Sequence, residues 1–168
     1  MELQKKHKKW IVLTTLLLLC TLSTIFYIQK MDADSRPRYQ ILYDVEDLTT
    51  LLLDKQYFSE ENESEEVYFI DLRDREDYEK KHITNTINIP FDDEGDKLLS
   101  YLTKHKAFDR EIILMCYSGK RSSKAFNLLV QQGFKDLTYL PFGYEEYATS
   151  GMEDFFFQTG KCKCEEEE

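Results

Sequence analysis

Ile112-Ile113-Leu114-Met115-Cys116-Tyr117-Ser118-Gly119-Lys120-Arg121-Ser122 is the stretch on which the fold turns. An apolar run, Ile112 to Met115, leads straight into a cysteine. A short loop follows, holding Gly119 and two adjacent cations, and a helical pattern then covers Ser122 to Gln132, with Ala125, Phe126 and Leu129 on its inner face and Gly133 at its end. A buried strand thus delivers a thiol to the start of a helix. Partial positive charge at a helix start favours a thiolate and holds an anion. Cys116 therefore reads as a sulfur nucleophile; the blander alternative is an apolar cysteine at a strand end.

Working outward, short apolar runs alternate with helical patterns. Asp44 precedes a helix with Val45, Leu48, Leu51 and Leu52 on its apolar face. Glu60 to Glu66 is acidic and loop-like. Val67 to Ile70 is an apolar strand stopping at Asp71, and a short helix is predicted over Arg75 to Lys81. Ile87-Asn88-Ile89 is a brief strand ended by Pro90, Leu98, Leu99 and Leu102 mark another helix, and Leu137-Thr138-Tyr139 is the last strand. Short, fully apolar strands separated by helices imply a parallel α/β sheet. Ligands of such sheets bind beyond the carboxyl ends of the strands, where Asp71 and Cys116 both stand.

The formal net charge is −10, but residues 1–9 sum to +3 through Lys5, Lys6, Lys8 and Lys9 against Glu2, leaving −13 for the rest. No basic face offsets that acidity, so nucleic acid is excluded as an expected partner. Four cysteines, Cys20, Cys116, Cys162 and Cys164, do not outline a disulfide framework. Cys162 and Cys164 sit in a tail read as loose, with a sulfur acceptor or a redox pair as alternatives. A structural zinc site normally needs four ligands, and no companion pair exists, so no metal or other cofactor is expected.

Residues 10–29, Trp10 to Gln29, contain no charge and are long enough for one bilayer crossing. Trp10 and Tyr27 lie near the two ends, where aromatic rings favour the interface. A cleaved signal peptide and a lipoprotein anchor through Cys20 are the alternatives. No small-x-small cleavage site follows, and Leu19 before Cys20 is too large for a lipobox. The tighter cation cluster precedes the segment, which predicts the N-terminus inside and the domain outside the cytoplasm. The organisation read from sequence is a basic tail at 1–9, a signal-anchor helix at 10–29, a linker at 30–38, a domain at 39–151 and an acidic tail at 152–168.

Two separated motifs then carry a resemblance. The first is Phe69-Ile70-Asp71-Leu72-Arg73-Asp74-Arg75-Glu76-Asp77-Tyr78, with His82-Ile83 and Ile87-Asn88-Ile89-Pro90 after it. The second is Cys116-x-x-Gly119-x-Arg121-Ser122, followed at the expected spacing by Gly133-Phe134, Tyr139-Leu140 and Gly143. Together, over residues 39–151, they resemble the rhodanese family. Lys81, Asn85, Thr86, Phe142 and Tyr147 depart from its usual pattern at turns and rim positions. The resemblance implies a rhodanese-like α/β domain, a parallel sheet with helices on both faces, preceded here by one transmembrane helix. It implies a sulfurtransferase in which Cys116 takes a sulfane sulfur from a donor such as thiosulfate, becomes a persulfide, and passes the outer sulfur to a thiol or other thiophilic acceptor. Tyr117, Ser118, Gly119, Lys120, Arg121 and Ser122 form the substrate-binding loop, and Asp71 and Arg73 support it, with Arg121 expected to brace against Asp71. His82 is expected to pack rather than catalyse. A non-catalytic rhodanese-like binding module is the alternative. A phosphatase or arsenate reductase is a remoter one, because phosphatases of this fold carry five residues between cysteine and arginine and this loop has four.

Overall fold

The computed structural model describes residues 2–34, 36–54, 67–150 and 156–162. The chain divides into two compact units, one ending at Arg36 and one beginning at Pro37. The first is a single helix, α1 (Glu2–Asp34), which continues past the uncharged segment into the stretch read as linker. Within it, Trp10–Lys30 is long and apolar enough to cross a membrane, a test that a signal sequence also passes. Thr14, Thr15, Thr21, Ser23 and Thr24 turn their hydroxyls back onto carbonyls three residues earlier, which satisfies these hydroxyls within the helix itself.

The second unit is built on a five-stranded parallel sheet in the order β1-β6-β5-β2-β4. Its strands are β1 (Arg38–Ile41), β2 (Val67–Asp71), β4 (Ile87–Asn88), β5 (Glu111–Met115) and β6 (Asp136–Tyr139). The helices are α2 (Val45–Asp54), α3 (Arg75–Lys80), α4 (Asp96–Lys104), α5 (Lys120–Gln131) and α6 (Tyr144–Thr149). A separate two-stranded antiparallel ribbon pairs β3 (His82–Ile83) with β7 (Phe157–Gln158). The acidic segment 60–66 lies outside the described residues.

Pleating sends alternate strand residues to opposite faces, so an all-apolar strand needs cover on both. Ile70, Ile112 and Leu114 face α4 and α5 through Leu98, Leu102, Ala125 and Leu129. Phe69, Ile113 and Met115 face α2 and α6 through Leu48, Leu52, Tyr144 and Tyr147. Each such fully buried aliphatic or aromatic side chain contributes roughly 1.5–3 kcal/mol of transfer free energy. The most apolar strands, β2 and β5, are therefore central, and the helices cover both faces, as the sequence predicts.

Element ends follow local chemistry. Asp44 Oδ1 accepts from Glu46 N at 2.7 Å and caps α2. Gly133, with φ +86°, closes the end of α5, where Phe134 N donates to Leu129 O at 3.1 Å. Residues 156–162 do not form a loose tail. Thr84 N donates to Phe156 O and Gly160 N to Glu79 O, both at 2.8 Å, and Cys162 is buried. Phe157 drives this docking by packing on the face of Tyr144 and Tyr147.

Candidate active site

β5 is flanked on both sides by parallel strands, and Asp71 stands opposite Met115 in the register. Cys116 thus leaves the sheet at the carboxyl end of its central strand. Leu72 N donates to Met115 O at 2.8 Å and Tyr144 N to Cys116 O at 2.8 Å, so the neighbouring chain segments hold the cysteine's backbone. Cys116 carries a free thiol and is 1% exposed.

The loop that follows is held by two glycines. Gly119 has φ +78°, and a Cβ there would run into the Pro141 carbonyl. Gly143 has φ +107°, and a Cβ there would run into the Tyr117 carbonyl. Only glycine fits both the backbone angle and the close approach at these positions. Gly119 starts α5 at Lys120, earlier than the apolar pattern places it. The first helical hydrogen bond runs from Ser123 N to Gly119 O at 3.0 Å. The N–H groups of Lys120, Arg121 and Ser122 therefore have no acceptor within the helix, and the helix start offers positive potential beside the thiol.

Ser122 is buried with its hydroxyl 3.7 Å from Cys116 Sγ, 3.0 Å from Gly119 O and 3.1 Å from Leu140 O. One proton serves these neighbours, so the hydroxyl donates to one carbonyl and can accept from the thiol, or turn to a thiolate. Tyr117, Ser118 and Lys120 are exposed around the loop, and Lys120 has no ionic partner among the described residues.

Asp71 and Arg73 do not meet Arg121. They bond each other: Arg73 Nε reaches both Asp71 carboxylate oxygens at 3.0 Å, Nη2 reaches Oδ2 at 2.7 Å, and Arg73 N donates to Oδ1 at 3.0 Å. Arg73 Nη2 also donates to Lys81 O at 3.0 Å, and its guanidinium lies 3.4 Å over the Tyr144 ring. With its carboxylate filled, Asp71 has no place for a second arginine. Arg121 instead donates to Leu72 O at 3.1 Å and reaches Asp74 at 3.3 Å. The expected brace between Arg121 and Asp71 is thus corrected to one between Arg121 and Leu72–Asp74.

His82 stacks on Tyr78 at 3.7 Å and donates from Nδ1 to Tyr78 O at 2.8 Å. Burial holds its pKa below the usual imidazole value. It packs, as expected. No cluster of metal-ligating side chains exists among the described residues. Sequence reasoning missed Asp74, Asn88 and Tyr144. Asn88 Nδ2 ties the Asp71 and Arg73 carbonyls at 3.0 and 2.9 Å. Asp74 lies inside the first motif and was readable as an Arg121 partner; Tyr144 has no local signal.

Comparison with known proteins agrees with this architecture. The family model of the rhodanese-like domain matches residues 54–150. A tRNA uridine(34) hydroxylase of Enterobacter is 33% identical over 88 residues, which are 51% of this chain and 25% of that protein. The chain thus spans about a quarter of the length of the curated relatives it matches first. The thiosulfate sulfurtransferase GlpE of Pseudoalteromonas translucida is 29% identical over 91 residues, 54% of this chain and 82% of that protein. Among solved structures, a single domain sulfurtransferase of Saccharomyces cerevisiae superposes with a TM-score of 0.53 at 19% identity, covering 70% of this chain and 95% of that one. A Bacillus halodurans protein reaches 0.51 at 24% identity, covering 82% and 86%. At these identities the two structures speak for the fold alone. The family match takes in more than half of the chain and runs through the strands on both sides of the thiol, and the chain belongs to the rhodanese-like family.

Proposed function

We propose that the domain is a sulfurtransferase working through a persulfide on Cys116. One observation carries this reading: the only buried free thiol among the described residues leaves the central strand directly into a helix start, beside a hydroxyl and an unpaired exposed lysine. In the first half-reaction the Cys116 thiolate attacks the outer sulfur of a donor such as thiosulfate. The donor S–S bond breaks, sulfite leaves with the electron pair, and a new S–S bond forms on Cys116. In the second, an acceptor thiolate attacks the outer sulfur and restores the Cys116 thiolate. Lys120 and the N–H groups at the start of α5 stabilise the incoming anion and the leaving sulfite. The outer sulfur stands one S–S bond, about 2.05 Å, beyond a thiol with almost no open surface. The acceptor therefore meets the transferred atom and not the cysteine.

Intact-mass measurement of the full chain in detergent after thiosulfate treatment tests this. A gain of one sulfur atom, lost on adding an acceptor thiol and absent in Cys116→Ser, is the expected result. An unchanged mass with sustained activity in Cys116→Ser sinks the reading. The loop has four residues between Cys116 and Arg121. Each added residue would widen the cradle toward a phosphoryl group, so aryl phosphate hydrolysis faster than sulfur transfer would favour the phosphatase alternative.

We also propose that α1 anchors the domain with its N-terminus inside. The uncharged span and the lysines before it support this. Protease added to intact cells or spheroplasts should digest the domain; protection until the membrane is breached reverses the orientation.

A further inference from the structure

Lys81 and Tyr147 are two positions where this chain departs from the rhodanese pattern, and both meet one ring. Lys81 Nζ lies 4.5 Å from the centre of the Phe157 ring, over its face, and the Tyr147 ring meets it at 5.7 Å. Phe157 itself lies beyond residues 54–150, the part of the chain that matches the family model. It is half-buried, and backbone bonds bring its strand back to the domain. Phe157 and Gln158 pair with Ile83 and His82, Thr84 N donates to Phe156 O, and Gly160 N donates to Glu79 O. Cys164, further along this tail, lies outside the described residues.

The contacts of Phe157 close into a circuit. Phe157 meets Tyr144 edge-on at 5.9 Å, the Arg73 guanidinium lies 3.4 Å over the Tyr144 ring, and Arg73 Nη2 donates to Lys81 O. Lys81 in turn stands over Phe157. Tyr144 is also part of the bed of the Cys116 loop. Its N–H donates to Cys116 O at 2.8 Å, and the preceding Gly143 lies so close to Tyr117 that a Cβ would stand 2.3 Å from the Tyr117 carbonyl oxygen. Gly143 and Tyr144 therefore press on two consecutive peptide planes, the one after Cys116 and the one after Tyr117. A trans peptide points its N–H opposite to its carbonyl, so the first plane aims the Tyr117 N–H away from Tyr144. A shift of Tyr144 would turn that N–H and carry the start of the loop with it.

We propose that residues 156–160 are a strap in which Phe157 is a positioning residue for sulfur transfer: through Tyr144 it fixes the two peptide planes that follow Cys116. The part in transfer rests on the function proposed for Cys116; the hold on the loop does not. Core packing alone would make Phe157 matter to stability and to nothing else. A positioning role makes it matter to the rate of sulfur uptake, because a small misplacement of reacting groups slows the step without weakening the attraction of the donor to the exposed Lys120.

The full chain in detergent tests both parts. Amide hydrogen exchange compares wild type with Phe157→Ala. The Tyr144 amide should exchange about tenfold faster in the variant, while the Leu72 amide, bonded to Met115 O at the end of the sheet, keeps its rate. Equal acceleration of both amides, or of neither, overturns the hold on the loop. Sulfur gain on Cys116 is then followed by peptide mass over a range of thiosulfate concentrations. Phe157→Ala should lower the maximum rate about tenfold and move the half-saturating concentration by less than about twofold. Phe157→Tyr, which keeps the ring, should return the maximum rate to within about twofold of wild type. Lys81→Gln removes only the ammonium over the ring and should slow sulfur gain about twofold. It decides alone if Phe157→Ala does not fold. Wild-type maximum rates in Phe157→Ala and Lys81→Gln, or a loss that Phe157→Tyr does not repair, overturn the positioning role. Absence of sulfur gain in the wild type strikes the sulfurtransferase reading, and the Tyr144 amide still decides whether the strap holds the loop.

Discussion

Asp71–Arg73 and Asp74–Arg121 flank Leu72 and pair the same chemical groups, yet they are built differently. The first pair is 0% and 2% exposed, with the Asp71 carboxylate taking three donors from Arg73 and Tyr144 lying against the guanidinium. The second has side chains 31% exposed for Arg121 and 71% for Asp74, a single contact at 3.3 Å and one backbone bond from Arg121 to Leu72 O. Water competes with the second pair and is excluded from the first. The sheet side of the site is therefore a rigid frame, and the loop side is tethered adjustably to it.

The largest effect should come from breaking the frame. Leaving a buried charge without its partner costs about 3–5 kcal/mol, so Arg73→Met should lower the unfolding free energy by that amount in urea titration. A loss below about 1 kcal/mol, typical of an exposed pair, would erase the contrast. Next, Tyr144→Leu removes the ring beneath Arg73 while keeping the backbone bond to Cys116. A desolvated cation–π contact contributes about 2 kcal/mol, and a comparable loss is expected by the same titration.

His82 sharpens the comparison through pH. Its folded pKa is depressed by burial, so its contribution to stability is intact above the unfolded value of about 6.5. That contribution is lost as pH falls from there through the folded value, because protonation favours the unfolded chain. Thermal melts of wild type and His82→Gln between pH 8 and 5 should therefore converge on acidification. Parallel curves would show that the histidine is not strained by its burial. The smallest stability change belongs to Asp74→Asn, under about 1 kcal/mol. Its effect should show instead as altered sulfur transfer at low salt that fades at high salt, since the tether is exposed. A cost equal to that of Arg73→Met would make both pairs structural.

Features written in contiguous residues were readable from the chain. β2 and β5 announce themselves as unbroken apolar runs because both their faces are covered, and Cys116–Ser122 is a single stretch running from the end of a strand into the first turn of a helix. β1 was not readable. All of its residues are exposed, and it is placed by register with β6 and by the Arg38–Asp136 ion pair, not by hydrophobic pattern. β7 carries a visible aromatic signal, but its partner β3 lies far back in the sequence, and no local rule links them. In the site, Arg121 was expected at Asp71 because both are near one crevice. Arg73, two residues from Asp71, had already saturated that carboxylate, and competition between neighbours is a property of the folded arrangement.

The two glycines that lie against opposing backbone, Gly119 on Pro141 and Gly143 on Tyr117, make the turn at 141–143 a gauge for the loop. The interval from Cys116 to Arg121 is set by what it must fit against as much as by its own residues. A lengthened loop grafted alone would meet the Pro141 carbonyl and be forced out of shape, whatever its sequence. Changing the length of this loop therefore requires replacing two segments together, and a library that varies only the cysteine loop would sample mostly misfitted jaws.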